Sequence, residues 1–406
     1  MHNQSASSTR DTWLRYTLGE LGVFRKGRGI RKNEVLTHGI PCVRYGEIYT
    51  IHQSTIQQCH SFIDQTTASA SERLEYGDVI FAVSGETSEE IGKCSTFLGN
   101  YEAYVGSDTL ILSPRGADPI YLGYALNFGE VLKQKQMLGQ GDAVVHLSLA
   151  NLAKVTISLP ALAEQIAIGQ QLFQVDSHLF AIDKLISKKR DIKQGAMQQL
   201  LTGKTRLPGF VGEWIPQRLG DLATMSSGGT PPSKIKEFYG GNIKWASIAD
   251  MTRSGKFLSK TDEHLTELGL INSSAAIYKS PVVLYAMYAS LGEVCICLEE
   301  VSSSQAILGI VPGGKLELEF LYYLLLAYKP IVKSLGQQGT QSNLNKGMVQ
   351  EFVFPVPANK LEQRAIAEVL SDMDAEINAL VARREKTALI KIGMMQELFT
   401  GRTRLI

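Results

Sequence analysis

The chain lacks any hydrophobic run long enough to cross a membrane. Its longest, Val282–Ala289 and Phe320–Ala327, suit a buried strand and a core helix. Cysteine is scarce. Cys42, Cys59, Cys94, Cys295 and Cys297 are odd in number and contain no Cys-x-x-Cys pair, which argues against a disulfide framework or a zinc module and predicts reduced core thiols. The opening Met1–Asp11 is polar and has no apolar signal core, so a cytoplasmic protein is expected. Neither sign of charge prevails: 41 Lys and Arg stand against 40 Asp and Glu, a net charge of +1. A globally basic nucleic-acid binder is thereby excluded, and any phosphate-binding surface has to be local.

Catalytic signatures are missing too. Gly85–Cys94 looks like a phosphate loop, but its glycines are two residues too far apart. Cys94 also stands where a hydroxyl for Mg²⁺ belongs. Asp118-Pro119-Ile120-Tyr121 lacks the second proline of an amino-methyltransferase motif. The histidines are scattered, with no His-Glu-x-x-His helix, and no Gly-x-Ser-x-Gly elbow occurs. A lone histidine such as His146 reads as structural. The chain is therefore expected to be non-catalytic, with no catalytic residue, no cofactor and no metal.

What the chain does contain is a repeat. Glu164–Leu207 recurs without a gap as Glu362–Leu405, and close to half the paired positions are identical. Each copy follows a longer, less similar block. Trp13-x4-Leu18-Gly19-Glu20-Leu21 in the first block is matched by Trp214-x4-Leu219-Gly220-Asp221-Leu222 in the second. Val155–Pro160 and Phe352–Pro357 lead into the repeated segments. For a chain of 406 residues this predicts a pseudo-two-fold internal repeat: domains at 1–160 and 208–357, and helical spacers at 161–207 and 358–406.

The spacers read as helices. Leu172, Val175, Leu179, Ile182, Ile186, Ala196 and Leu200 fall on one heptad seam; Leu370, Met373, Ile377, Leu380, Met394 and Leu398 fall on the other. Both seams lapse at an identical residue, Lys193 and Lys391, and Gly203 and Gly401 are the expected C-caps. Such helices, roughly 60 Å long, most simply pair with each other. The expected fold class is α/β of the α+β kind. Two domains with twisted mixed sheets are separated by two long helices paired as an antiparallel coiled coil. Met197, Leu200, Leu201, Met394, Met395, Leu398 and Phe399 are more apolar side chains than a seam needs, and the surplus is expected to face outward as a partner-binding surface.

Local features suit DNA. Arg25, Lys26, Arg28, Arg31 and Lys32 surround two glycines, a composition that lets backbone and cations approach phosphates. The equivalent place in the second block holds Gly228, Thr230, Lys234 and Lys236. Near that block's end, Thr340, Gln341, Ser342 and Asn343 are amides and hydroxyls able to read base edges.

These residues together resemble the specificity subunit of type I restriction–modification systems over essentially the whole chain. The carriers are the helices opening on Glu164-Gln165 and Glu362-Gln363, and the closing Leu200–Leu207 and Leu398–Leu405. Ser227–Pro231 with Ile243-Lys244-Trp245, and Gly77–Thr87, add to them. The resemblance implies two target-recognition domains, each reading half of a bipartite double-stranded DNA target. It also implies helices that dock two methyltransferase subunits, through which restriction subunits join. The alternatives are the specificity part of another restriction–methylation system and a protein-interaction scaffold; salt-titrated DNA binding separates the last from the others. Gly27-Arg28-Gly29-Ile30 departs from the second block's Gly-Gly-Thr-Pro, so the two half-sites should differ.

Overall fold

A computed structural model describes residues 13–141, 144–338 and 343–405. The chain divides into two compact units that do not follow the linear order of the repeat. The first takes the chain up to Asp183 and again from Ala382; the second is Lys184–Val381. Each unit therefore contains one block and a segment of each long helix.

In the first unit, Gly22–Lys26, Thr109–Pro114, Val79–Ala82 and Cys94–Phe97 lie side by side and antiparallel, with Thr55–Ile56 added parallel at the edge. In the second unit, Ala223–Ser227, Ile307–Pro312, Val282–Ala286 and Val294–Cys297 repeat the antiparallel order. A smaller mixed sheet accompanies each, built on Ile40–Val43 in one and on Tyr239–Ala246 in the other.

The central strands are apolar without alternation because both of their faces are covered. Val79 and Phe81 point into a cluster formed with the helices, while Ile80 and Ala82 point into a second cluster with Val43 and Val105. Val283 and Tyr285, against Val282 and Leu284, do the same in the second unit. Burial of each such side chain contributes about 1.5–3 kcal/mol. The cysteines are unpaired; all but the half-buried Cys59 are buried, and burial pushes the Cys42 thiol up to about 12.

The repeated Leu-Gly-Glu/Asp-Leu motif is a single helical turn. Its leucines are buried, and the first donates its N–H to the carbonyl of Val155 or Phe352 at 2.9 and 2.8 Å. The Glu-Gln that opens each long helix is buried for a similar reason. Gln165 Oε1 accepts from the Asp118 N–H at 3.0 Å while its Nε2 donates to the Pro160 carbonyl at 2.8 Å. Gln363 bridges the Glu317 N–H and the Pro357 carbonyl in the same way.

The long helices span Leu162–Leu200 and Lys360–Thr400, and Gly203 and Gly401 take positive φ after them, as expected of the caps. Of the seam residues, Leu172, Ile182, Ile186, Leu200, Leu370, Ile377 and Leu398 are buried and the remainder half-buried. Pairing is antiparallel in each unit. In the first, Glu164, Asp176 and Asp183 meet Arg404, Lys391 and Arg384. In the second, Lys189, Lys193 and Arg206 meet Glu376, Asp374 and Glu362.

The lapses in both seams now have a cause. Lys391 Nζ lies 2.6 Å from Asp176 Oδ1, Asp176 Oδ2 accepts from the Tyr124 hydroxyl at 2.7 Å, and the lysine sits 5.1 Å over the Tyr124 ring. Lys193, Asp374 and Tyr323 form the same triad, at 2.5, 2.7 and 5.4 Å. Burial first, then the neighbouring carboxylate, pushes the Tyr124 hydroxyl far above its ordinary range, so it stays a donor.

Breaking this triad from one side should cost more than neutralising it. Lys391→Met strands Asp176 and should lower stability by about 3 kcal/mol. Adding Asp176→Asn, which keeps an acceptor for Tyr124, should recover more than half of the loss. Urea unfolding of the wild-type chain and these two variants checks the order.

Candidate nucleic-acid interface

Three loops gather at one end of each central sheet, tied to a common turn. In the first unit that turn is Gly106–Thr109. Gly27 N–H donates to the Thr109 carbonyl at 3.1 Å, and Ser107 adds its N–H and hydroxyl to the Gly29 carbonyl at 3.1 and 3.0 Å. Val83 N–H donates to the Asp108 carbonyl at 3.0 Å, and Leu147 N–H donates to the Val83 carbonyl at 3.0 Å. In the second unit, Gly228 N–H donates to the Ile307 carbonyl, Met287 N–H to Ala306, and Leu344 N–H to Met287, at 3.0, 2.8 and 3.0 Å. The same three loops are therefore brought together by the same backbone bonds.

The basic loop of the first unit is held rigidly. Gly29 and Ile30 both have positive φ, 67° and 57°. Such a conformation is costly for a β-branched residue, and here the buried Ile30 side chain holds it, packed with Cys42, Ile63 and Ala68. Lys26, Arg28, Arg31 and Lys32 are left exposed.

Arg25 is a correction to the sequence expectation. It lies in the Gly22–Lys26 strand, and its guanidinium is committed to Asp78, to Glu72 at 3.0 Å and to the Arg73 carbonyl at 2.8 Å. Asp78 is only 2% exposed. Arg25 balances a buried charge and is not free for phosphate. Arg28 also contacts Glu72, at 2.7 Å, from an exposed position. Burial works against the Glu72 charge, but hydrogen bonds from Arg28 and Arg25 outweigh it and hold the carboxyl below its usual range.

Gly228 is a second correction. A Cβ there would stand 2.3 Å from the Ser304 carbonyl oxygen, and its N–H is already used by Ile307. The glycine permits close backbone approach instead of offering an amide to a ligand. Thr230 is exposed and donates its hydroxyl to Gln305 Oε1. Trp245 Nε1 donates to the Gly229 carbonyl and the Tyr239 hydroxyl to the Pro231 carbonyl, anchoring the loop from which Lys234 and Lys236 project. Thr340, Gln341 and Ser342 lie outside the described residues; Asn343 is exposed beside Leu344.

The proposed outward apolar surface does not form. Met197, Leu200 and Leu201 are buried against the second unit's core, and Leu398 and Phe399 against the first unit's, with Met394 and Met395 half-buried there. Phe399 makes an edge contact with Tyr121, ring centroids 5.4 Å apart. The helix ends carry a second apolar face because each must cover a block as well as pair with a helix.

Sequence reasoning missed the loop after Val79–Ala82 and the position of His146. The signal was present: Leu138–Leu147 and Leu335–Leu344 both open Leu-Gly-Gln/Gln-Gly-like and close on the leucine that ties the loop. In that alignment His146 is the counterpart of Asn343.

Mixed-sheet units with matching topology and matching loop anchors define a protein whose scaffold is built twice. The family model for the type I restriction modification DNA specificity domain matches residues 10–193 and again 212–389. The chain belongs to that family. It is 25% identical over 349 residues to the type I restriction enzyme MjaVIII specificity subunit of Methanocaldococcus jannaschii, covering 81% of this chain and 79% of that protein. It is 28% identical to the same organism's MjaIX specificity subunit over 190 residues, 46% of this chain and 43% of that protein. That second alignment thus spans less than half of the relative. A crystal structure of the type I restriction–modification S subunit from M. genitalium superposes with a TM-score of 0.64 at 14% identity, covering 98% of both chains. At that identity the likeness is one of fold. Among the described residues no helix is long and apolar enough to cross a membrane.

The ion-pair assignment of Arg25 has a direct consequence. Arg25→Gln leaves Asp78 without its cation and should destabilise the first unit by about 3 kcal/mol. Lys26→Gln, one residue along and exposed, should change stability by less than about 0.5 kcal/mol. Denaturant midpoints of the two variants distinguish these roles.

Proposed function

We propose that the chain is the non-catalytic, sequence-specific DNA-binding subunit of a cytoplasmic type I restriction–modification complex. Residues 1–160 and 208–357 each read one half of a bipartite double-stranded target. The observation that carries this reading is the pair of loop surfaces, anchored alike but bearing different outward side chains. One presents Arg28, Arg31, Lys32 and His146; the other presents Thr230, Lys234, Lys236 and Asn343. Cations at the loop edges supply phosphate contacts that fix position, and the amide and imidazole groups supply base contacts. Mapping methylated bases in the genome of a host expressing this chain with its partner subunits tests the reading. Two unlike half-sites at a fixed spacing are expected, and methylation without a bipartite target would contradict it.

The partners in this reading are two copies of a methyltransferase subunit, docked on the long helices, with restriction subunits joining through them. Duplicated helices suit two copies of one partner. The apolar side chains available for docking are those left outside. Ile192 and Ile390 occupy equivalent positions, each just before a triad lysine, and are 45% and 50% exposed. Leu185, seven residues before Ile192 and so on the same helix face, is exposed too, and Leu389 is exposed next to Ile390.

Two predictions follow from this reading. Lys26→Gln, Arg31→Gln and Lys32→Gln together should weaken DNA binding and flatten the slope of log K against log salt by roughly 0.9 per lost phosphate contact. An unchanged slope would make the loop a solvated turn. Ile192→Asp with Ile390→Asp should abolish methyltransferase docking while the chain keeps its circular dichroism spectrum. Native mass spectrometry checks this, with two partner copies expected on the unaltered chain.

A further inference from the structure

We infer that His146, oriented by Ser84 and Asp108, reads a base in the first unit by presenting a bare Nε2 as hydrogen-bond acceptor to an exocyclic amino group. The inference rests on the DNA-recognition reading above and assigns one of its contacts. Ser84 Oγ lies 2.9 Å from His146 Nδ1 and 3.2 Å from Asp108 Oδ1. A carboxylate can only accept, so the hydroxyl proton is directed to Asp108. The hydroxyl oxygen is then left to accept, and Nδ1 must carry the proton that it accepts. A neutral imidazole has one N–H, which leaves Nε2 unprotonated.

The backbone around this ring is clamped although the side chain is exposed. His146 pairs with Ser84 in a short antiparallel ribbon, and its N–H and carbonyl are both bonded to Gln140, at 2.8 and 2.9 Å. Asp108 adopts φ 59°, the left-handed region that few residues other than glycine, asparagine and aspartate visit. Its carbonyl accepts from Val83 and its carboxylate from Ser84, so the turn at Asp108 serves the ribbon with both groups. A solvated turn needs neither a fixed ring nor a fixed tautomer.

An acceptor on a base-facing loop matches the amino groups of adenine or cytosine, which are the donors that the major groove displays. The counterparts in the second unit are Tyr288 and Asn343, both exposed, so the oriented imidazole is particular to the first half-site. Ser84 and Asp108 act as positioning residues and His146 as the contact.

The test uses the full chain with its partner subunits and maps methylated sites for the wild type, His146→Ala and Ser84→Ala. His146→Ala should relax discrimination at one base pair of one half-site by roughly tenfold, the loss of one base hydrogen bond, and leave the other half-site unchanged. Ser84→Ala should relax the same base pair by less. In ¹⁵N imidazole spectra of the chain, the signal absent from His146→Ala should show the Nδ1–H tautomer in the wild type and shift towards Nε2–H in Ser84→Ala. A half-site unaltered by His146→Ala, or an Nε2–H wild-type tautomer, would overturn the assignment while leaving the recognition reading intact. A wild-type chain with no bipartite target would overturn both.

Discussion

Charged ties between each long helix and the other helix with its C-terminal extension are what the remaining structure depends on. Arg404 holds Glu164 and Arg206 holds Glu362 through paired hydrogen bonds of 2.5–2.7 Å, and both carboxylates are almost fully buried. The Lys–Asp–Tyr triads add a second tie within each unit. Removing such charges from water is expensive, and well-packed apolar residues could stabilise the helices as much. Apolar seams, however, tolerate sliding and reversal, whereas a half-buried lysine in a seam is satisfied only where an aspartate faces it. The ties make one antiparallel register the satisfied one. Since each compact unit combines a block with segments from both helices, neither unit is complete without them.

This explains which residues the two copies of the repeat share. Glu164, Gln165, Asp176, Lys193, Gly203 and Arg206 are identical to Glu362, Gln363, Asp374, Lys391, Gly401 and Arg404. Each of the charged and amide members makes the bond described for its counterpart. Seam and cap residues such as Leu172, Met197 and Leu200 are shared too, with Leu370, Met395 and Leu398, whereas the blocks keep the Leu-Gly-Glu/Asp-Leu turn and have diverged over most of their length. The scaffold constrains side chains that must satisfy buried partners. The loop surface constrains only the backbone that carries it.

Much of the fold was legible because its signals are periodic. Heptad spacing located both helices, and the apolar run Val282–Ala289 marked a buried strand, found at Val282–Ala286. Pair-specific contacts were not legible. A run of five cations looked like one surface, yet Arg25 alternates inward on its strand and meets Asp78, 53 residues away in sequence. The apolar surplus at Met197–Leu201 and Met394–Phe399 was assigned outward because a seam accounts for only one face of a helix. The other face covers a block, a contact that no local pattern encodes. Gly228 looked like a phosphate cradle, but glycine in a sequence does not tell whether a ligand or the protein's own backbone comes close. His146 seemed isolated because its partners, Ser84 and Asp108, come from different loops.

The central claim is that two equivalent scaffolds carry two independent reading surfaces. Its most direct test replaces Trp13–Pro160 with a second copy of Trp214–Pro357. That graft brings Tyr323 to face Asp176 in place of Tyr124, and supplies the Glu317 N–H to Gln165, so the ties are kept. Methylation mapping of this chain, assembled with its partner subunits, should reveal a target made of two copies of one half-site, the half-site read by the second unit. An assembled complex that still recognises the original first half-site would contradict the account.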